Sequence, residues 1–264
     1  MDYSLVCEAV RDLVKETAAF IEREKKKQNN LDIEVKGRQN YVTSVDKNSE
    51  RRLVKGLHGI IPEAGFIAEE GTATEKKERF NWIIDPIDGT TNFIHGLPPY
   101  AISVALMEHN EIVVGVIYEL GMHECFYAWK GSPAYLNGLE IRVSMTRKVN
   151  DALIATGFPY TNFKFLESFM ETLTYFMENS HGLRRLGSAA TDIAYTACGR
   201  FDGFYEYGLS PWDVAAGILI LQQAGGKVSD FTGGTDYLFG GEIVAANGSV
   251  FDEFQHVVKK FMKG

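Results

Sequence analysis

The segment from Trp82 to Phe93, WIIDPIDGTTNF, constrains this chain more than any other. Its first residues form an apolar run typical of a buried strand, and the run ends in two carboxylates three residues apart, Asp85 and Asp88. Mg²⁺ is usually shared between one or two carboxylates and a substrate phosphate, and a glycine-containing turn can direct backbone N–H groups at an anion. Asp, Pro and Gly are also common in turns for conformational reasons alone. Because a turn by itself needs neither two acids nor the threonines that follow, the segment favours metal and phosphate chemistry.

Composition restricts the partners of the chain. Its 264 residues include 45% hydrophobic residues, which is typical of a globular protein with a large core. The net charge of −8 argues against direct nucleic-acid binding, which depends on clustered Lys and Arg. An acidic protein that handles an anionic phosphate needs local positive charge, and a metal ion would supply it.

Cysteine usage and the N-terminus predict a cytoplasmic location. Cys7, Cys125 and Cys198 are far apart and form no CxxC pair, which is typical of a reducing compartment. The N-terminal residues are acidic where a signal peptide would be basic. No apolar run approaches the ~18 residues of a membrane span, so no membrane association is expected.

The periodicity of apolar residues predicts an α+β fold with a single unit over residues 1–264. Residues 1–150 should form N-terminal helices, the second of them starting at Asp46, and an antiparallel sheet that carries most of the acids. Residues 151–264 should alternate between strands and helices, and Asn137-Gly138 predicts a tight hairpin. Strands are expected at 66–68, 82–84, 101–107, 112–118, 125–128, 141–143, 152–156, 201–207 and 243–246. Helices are expected at 163–178, 188–198 and 212–224, and from 251 onwards.

Further acids lie at the ends of predicted elements. Glu69 and Glu70 end a strand, and since adjacent strand residues point to opposite faces, only one of them can share a pocket with Asp85. Asp213 lies three residues after Ser210, in a pattern that resembles a helix-capping box. Taken alone, this pattern favours a cap over a metal ligand. Asp46, before the second helix, is expected to be an N-cap.

Other motifs are either ambiguous or missing from the sequence. Gly187, followed by small residues that open a helix, suits an anion or a sugar hydroxyl, but equally suits close helix packing. The six histidines show no HExxH or paired spacing, so a zinc site is not expected. The sequence also has no Walker A loop and no GxSxG elbow, which argues against ATP-driven and serine-hydrolase chemistry.

Taken together, these motifs resemble the inositol monophosphatase family of Mg²⁺-dependent, lithium-sensitive phosphatases. The matching parts are Ala68-Glu69-Glu70, the run DPIDGTTNF, and Trp212-Asp213 with the small residues after it. Thr91-Asn92 is similar to the inositol phosphatase branch, and the segment 187–206 is most similar to the bacterial enzymes. The resemblance implies a layered αβαβα sandwich and hydrolysis of a polyol or sugar phosphate monoester, with myo-inositol monophosphate as the first candidate. It also implies a homodimer.

The resemblance further implies a set of metal ligands. The carboxylates of Glu69 and Asp85 and the carbonyl of Ile87 would hold a first Mg²⁺. A second Mg²⁺ would be held by Asp85, Asp88 and Asp213, with Asp85 bridging the two ions. Two or three ions per subunit are expected, and Asp213 would then be both a cap and a ligand.

The remaining site residues also follow from the resemblance. Glu69 and Thr90 would orient the water that attacks phosphorus, which makes Glu69, Thr90 and Asp85 the expected catalytic residues. Asp46 becomes a possible outer partner of a third metal. The expected substrate-binding residues are Asp88, Gly89, Thr90, Gly187, Ala189, Glu206 and Asp213.

Two alternatives remain open from the sequence. The substrate could be fructose 1,6-bisphosphate or 3′-phosphoadenosine 5′-phosphate, although Thr91 disfavours the nucleotide. The chain could also be a regulatory binding protein in which phosphatase activity is incidental, because some bacterial relatives associate with transcription and ribosomal RNA maturation factors.

Overall fold

The computed structural model describes residues 1–27, 33–37, 40–160 and 163–262. Two long helices form its first layer: α1 (Tyr3–Lys27) and α2 (Ser44–Ile60). Between them, β1 (Ile33–Gly37) and β2 (Asn40–Thr43) pair as a small antiparallel sheet. The buried residues of α1 recur at helical spacing, so one face of the helix enters the core. These buried residues are Val6, Cys7, Val10, Val14, Thr17, Ala18 and Ile21.

A seven-stranded sheet packs against the first two helices, with its strands in sequence order. Its strands are β3 (Gly65–Ala68), β4 (Phe80–Asp88), β5 (Ala101–Glu108), β6 (Glu111–Glu119), β7 (Glu124–Trp129), β8 (Ala134–Leu136) and β9 (Leu139–Ile141). Only the pairing of β3 with β4 is parallel among these described strands. The predicted hairpin at Asn137-Gly138 is confirmed, since both residues have positive φ, 49° and 89°, as a two-residue turn requires.

Strand β4 continues beyond its predicted end and carries both acids of the DPID segment. Pairing with β5 shifts register between Asp85, opposite Ser103, and Asp88, opposite Ala101, so β4 contains one extra residue there. Pro86 lies at the irregularity, which suits a residue that has no N–H to donate to the ladder. The bulge therefore lies where the two carboxylates leave the sheet.

The second half of the chain forms a five-stranded sheet in the order β11-β10-β12-β14-β13. Its strands are β10 (Leu153–Thr156), β11 (Gly182–Arg184), β12 (Gly203–Tyr207), β13 (Gly226–Ser229) and β14 (Glu242–Asn247). The helices of this half are α4 (Leu166–Asn179), α5 (Ala189–Ala197), α6 (Pro211–Gln223) and α7 (Phe251–Phe261), while a short α3 (Thr90–His95) follows β4. The sequence did not predict β1, β2, β8, β11, β13 or α3, which are three to six residues long and too short to show a clear period. The strand expected at 141–143 is instead Leu139–Ile141.

The elements stack as five layers, which confirms the αβαβα sandwich. Helices α1 and α2 cover one face of the large sheet, α5 and α6 lie between the two sheets, and α4 and α7 cover the outer face of the small sheet. Helix α6 is buried from Val214 to Leu221 on every side, as expected for a helix between two sheets. It approaches β6 so closely that a Cβ on Gly115 would lie 2.7 Å from the Ala216 carbonyl oxygen.

Within the described part of the chain, we find no helix that combines the length and the apolar character needed to cross a membrane.

Candidate functional site

The end of β4 and the start of α3 form one wall of a cavity of about 380 Å³. The backbone N–H of Ile87 donates to Asp85 Oδ1 over 2.9 Å, which holds the tight path of the bulge. Gly89 has φ of 91°, and a Cβ there would lie 3.1 and 3.2 Å from two backbone carbonyl oxygens, so only glycine fits without strain. Thr90 Oγ1 lies 3.0 Å from the Ile87 carbonyl oxygen and 3.1 Å from Asp46 Oδ1.

Asp213 reaches the same cavity from the start of α6. The predicted capping box is present, and the Ser210 N–H donates to Asp213 Oδ2 over 2.7 Å. The side chain also joins Asp85 and Asp88, because one carboxylate oxygen from each of the three lies within 4.8 Å of the others. Asp213 is therefore both part of the capping box of α6 and a member of the acidic cluster, so the two interpretations of the sequence pattern do not exclude each other.

Glu69 follows β3 and lines the cavity, whereas Glu70, the next residue, does not. The Glu69 N–H donates to the Ile84 carbonyl over 3.2 Å, which extends the β3–β4 pairing by one residue. The charge of Glu69 is one of the influences that raise the pKa of Asp85. The expectation that only one of the adjacent acids would share a pocket with Asp85 is confirmed.

The carboxyl groups of this cluster are held in an environment that opposes their ionisation. Burial, followed by the neighbouring acids Glu69, Asp88 and Asp213, raises the pKa of Asp85 well above its ordinary value. Burial, followed by the charge of Asp88, likewise raises the pKa of Asp213. A divalent cation would reverse both effects, since it supplies the opposite charge that these side chains lack. The donor set, composed of carboxylate oxygens, is the one that Mg²⁺ prefers.

Asp88 is held by the start of α5. Its Oδ2 accepts from Ser188 Oγ and from the Ala190 N–H, both over 2.7 Å. Burial raises the pKa of Asp88 to about 6, although these two hydrogen bonds and the charge of Arg185 oppose the rise. The sequence did not single out Ser188, because a serine before a helix is most simply explained as an N-cap, and it is also that.

The opposite wall carries Glu206 from β12. Burial, followed by the charge of Asp88, raises the pKa of Glu206 to about 8. A Cβ on Gly157 would lie 1.9 Å from the Glu206 carboxyl group, so glycine is required for this side chain to enter the cavity. Arg185 and Tyr160 line the same wall, and the Arg185 guanidinium lies 5.4 Å from the centre of the Tyr160 ring. Sequence reasoning missed Gly157 and Tyr160, which belong to no recognisable motif, and it assigned no role to Arg185.

Asn92 connects the two walls. Its Nδ2 donates to the carbonyl oxygens of Pro99 and Leu186, each over 2.8 Å. The loop at Gly187, with φ of 93°, is thereby joined to α3, which lies 94 residues earlier in the chain. The resemblance marked Asn92 as a family feature but assigned no contact to it.

The prediction that Asp46 is an N-cap is wrong. Thr43 is the N-cap of α2, and Asp46 occupies the third helical position of a capping box, where its Oδ2 accepts from the Thr43 N–H over 2.9 Å. The helix begins at Ser44, two residues earlier than predicted, so Asp46 lies inside the first turn. Its Oδ1 is therefore available to Thr90.

The structure brings every other predicted site residue into one cavity. Those lining it are Glu69, Asp85, Ile87, Asp88, Gly89, Thr90, Gly187, Ala189, Glu206 and Asp213. They come from the ends of β3, β4 and β12 and from the starts of α3, α5 and α6. Acids thus converge with backbone N–H groups at helix starts, an arrangement suited to binding a cation together with an anion.

Comparisons with known proteins agree with this arrangement. An inositol-1-monophosphatase from Mesorhizobium japonicum is 42% identical over 232 residues, which cover 88% of this chain and 87% of the relative. A protein named Nus factor SuhB from Vibrio cholerae is 44% identical over 213 residues, or 80% of each chain. The crystal structure of extragenic suppressor protein suhB from Bartonella henselae superposes with a TM-score of 0.92 at 36% identity, covering 97% of this chain and 99% of that one. The model of the inositol monophosphatase family matches residues 2–261, and the chain therefore belongs to this family.

Proposed function

We propose that this protein is a Mg²⁺-dependent phosphatase that hydrolyses a phosphate monoester of a polyol or sugar, with myo-inositol monophosphate as the first candidate. The observation that carries the proposal is the clustering of Asp85, Asp88 and Asp213 in a cavity that also contains Glu69 and Thr90. The volume of about 380 Å³ falls in the range of small-molecule sites and suits a ligand of monosaccharide size.

Two or three Mg²⁺ ions would be held by this cluster. Glu69, Asp85 and the Ile87 carbonyl would form one site, and Asp85 would share the second with Asp88 and Asp213. When bound, Mg²⁺ would neutralise phosphoryl charge and lower the pKa of a coordinated water. The raised pKa values of the acids support this assignment, because burial, together with the neighbouring acids at Asp85 and Asp213, opposes an ionisation that a bound cation would favour.

Glu69 and Thr90 would orient the attacking water. Thr90 Oγ1 can donate its proton to Asp46 Oδ1 or to the Ile87 carbonyl, which leaves its lone pairs to accept from water. The N–H groups of Gly89 and Thr90 would bind the phosphate. Phosphoryl transfer depends on positioning and charge neutralisation more than on covalent catalysis, and these residues would contribute to both.

The alcohol would be recognised at the opposite wall. Glu206 and the backbone near Gly187 and Ala189 would contact its hydroxyl groups. Arg185 is the one basic side chain among the described residues that line the cavity, and it moderates the raised pKa of Glu206. Fructose 1,6-bisphosphate is the enzymatic alternative, and it would use the same acids with a different alcohol.

A second candidate function is regulatory. The 44% identity to a Nus factor SuhB favours a role in binding another protein, alongside or in place of hydrolysis. The Asp88→Asn variant separates the two roles, since a partner that binds wild type and variant equally acts independently of catalysis.

We further propose a cytoplasmic homodimer whose phosphatase activity is inhibited by lithium.

Phosphate release from a panel of monoesters and bisphosphates, with Mg²⁺ and with or without Li⁺, tests the enzymatic proposal. Wild type should prefer inositol monophosphate, and Asp88→Asn should lose activity by about 10³-fold or more, because metal-ion catalysis contributes several kcal/mol. Asp230→Asn is a suitable control, since Asp230 also accepts backbone N–H groups but does not line the cavity. Full turnover by Asp88→Asn at saturating Mg²⁺ would rule out the second metal site. The absence of phosphate release by wild type from every substrate would refute the hydrolase.

A further inference from the structure

Helix α2 presents two buried acids, one turn apart, on the side that faces the site. Asp46 and Glu50 are both 0% exposed, and residues four apart lie on the same face of a helix. Neither lines the cavity. Asp46 contacts Thr90, whereas Glu50 takes no part in the proposed binding of metal and phosphate.

Glu50 binds the chain immediately after Glu69. Its Oε2 accepts from the Glu70 N–H over 2.7 Å, and its Oε1 accepts from the Thr72 N–H and from Thr72 Oγ1, also over 2.7 Å each. Both carboxylate oxygens are therefore used, and all three donors lie within a three-residue segment. A charged acceptor makes these bonds shorter and stronger than bonds to a neutral group.

This contact fixes the position of Glu69 from one side. On the other side, the Glu69 N–H is held by the Ile84 carbonyl on β4, over 3.2 Å. Beyond Thr72, residues 74–79 are exposed, and the chain does not re-enter the core until Phe80. Glu69 thus lies between the edge of the sheet and the Glu50 carboxylate, at the start of an exposed loop.

Burying a carboxylate is costly unless it is fully hydrogen-bonded. A turn between two strands can also be closed by neutral groups, which avoid the cost of burying a charge. Glu119 makes the same kind of contact elsewhere in the chain. It is also 0% exposed, and it accepts from the N–H groups of Gly121 and Met122. The loop held by Glu119 contributes no residue to the cavity, whereas the loop held by Glu50 begins with Glu69.

We propose that Glu50 is a positioning residue that directs Glu69 toward Asp85 and thereby sets the Mg²⁺ affinity of the site formed by these two acids. The inference rests on the proposed function, since it assumes that Glu69 is a metal ligand. Glu50 itself touches neither metal nor substrate. Its action is exerted through the backbone of Glu70 and Thr72.

The test compares Glu50→Gln with Glu119→Gln by calorimetric titration with Mg²⁺ alone, in the absence of substrate. Glutamine keeps one acceptor oxygen but presents an amide N–H₂ to the other donors, so part of the contact is lost in each variant. We expect Mg²⁺ binding to weaken about tenfold in Glu50→Gln, since a hydrogen bond to a charged group is lost, and to remain unchanged in Glu119→Gln. Comparable thermal stability of the two variants would show that a general loss of stability does not explain the difference.

Trypsin cleavage gives a second readout that does not depend on metal. Lys76 and Lys77 are exposed in the loop after Thr72, so release of this loop should accelerate cleavage there in Glu50→Gln and not in Glu119→Gln.

Thr72→Val removes only the hydroxyl donor from an exposed residue. It should show a smaller weakening of Mg²⁺ binding, about two- to threefold, and it keeps the inference testable if Glu50→Gln does not fold.

The outcomes separate the inference from the proposed function. Wild-type Mg²⁺ affinity in both Glu50→Gln and Thr72→Val would overturn the role of Glu50, even if trypsin cleavage were faster, because the contact would then be structural only. Such a result would leave the phosphatase intact. A wild-type protein that neither binds Mg²⁺ nor releases phosphate would refute the proposed function, and the inference with it.

Discussion

Replacing Asp88 by asparagine should stabilise the metal-free protein and at the same time reduce its response to Mg²⁺. Oxygens of Asp85, Asp88 and Asp213 lie within 4.8 Å of one another, so ionised side chains repel each other when no cation is bound. An asparagine oxygen can still accept from Ser188 Oγ and the Ala190 N–H, which now bond to Asp88 over 2.7 Å. The substitution therefore removes the charge but preserves the hydrogen bonds.

The pKa shift of Asp88, of which burial is the main cause, gives the size of the effect. The pKa of Asp88 rises from 3.8 to about 6 in the folded protein. Since one pKa unit corresponds to 1.36 kcal/mol, ionisation of this group costs about 3 kcal/mol of folding free energy at neutral pH. The gain should raise the melting temperature by about 6–12 °C.

The pH dependence follows from the direction of the change. Because the pKa of Asp88 is higher in the folded state, that state binds more protons, and its stability falls as pH rises from about 4 to above 6. The advantage of Asp88→Asn should be nearly complete at pH 7.5, about half as large at pH 5, and close to zero below pH 4. Urea unfolding of wild type and Asp88→Asn in EDTA at these pH values measures the difference in their stability.

Addition of Mg²⁺ should reverse the order of stability. A ligand that binds only the folded state stabilises it by about 4.1 kcal/mol at a concentration of 1,000 times its Kd, which exceeds the advantage of about 3 kcal/mol that Asp88→Asn has in EDTA. Wild type should gain this stabilisation, whereas Asp88→Asn should gain little. A variant that is less stable than wild type in EDTA at pH 7.5, or that gains as much from Mg²⁺, would refute the account of the acidic cluster.

Two further predictions concern the walls of the cavity. Asn92→Asp loses both hydrogen bonds to backbone carbonyls and places a carboxylate against them. This substitution should lower the free energy of unfolding in urea by about 2–4 kcal/mol and raise KM. A change in the free energy of unfolding below about 0.5 kcal/mol would contradict the bridging role of Asn92. Gly157→Ala forces the Glu206 carboxyl group to move, because the new Cβ would lie 1.9 Å from it. We expect KM for the preferred substrate to rise about tenfold while Mg²⁺ affinity measured by calorimetry is unchanged, and an unaltered KM would exclude Glu206 from substrate binding.

Local patterns predicted most of the elements correctly. The spacing of apolar residues identified α1, and strand-like runs located β5, β6 and β7 to within one residue at each end. Asn137-Gly138 located a hairpin because positive φ at both turn positions is a property of the residues themselves. The αβαβα layering and the roles assigned to the acids came from the family resemblance.

The sequence patterns did not predict helix boundaries and contacts that depend on residues outside the local segment. Asp46 is not a cap, because Thr43 lies one residue before the helix and occupies that position. Ser188 binds Asp88 across 100 residues of sequence, and no local pattern distinguishes this from an ordinary cap. Glu50 resembles any acid on a helix until its three partners from the loop after Glu69 are seen.

The sequence by itself determined which residue types were available: acids at strand ends, glycines where the backbone turns, and apolar faces that impose layers. Only the tertiary structure decided which of these residues meet. Glu69, Asp85 and Asp213 converge because β3 lies parallel to β4 and because α6 is buried between the two sheets with its first turn at the same edge. The spacing of apolar residues indicates which side of a helix or strand faces a core. The distance between two segments is set by the packing of every layer between them, and no short stretch of sequence contains that information.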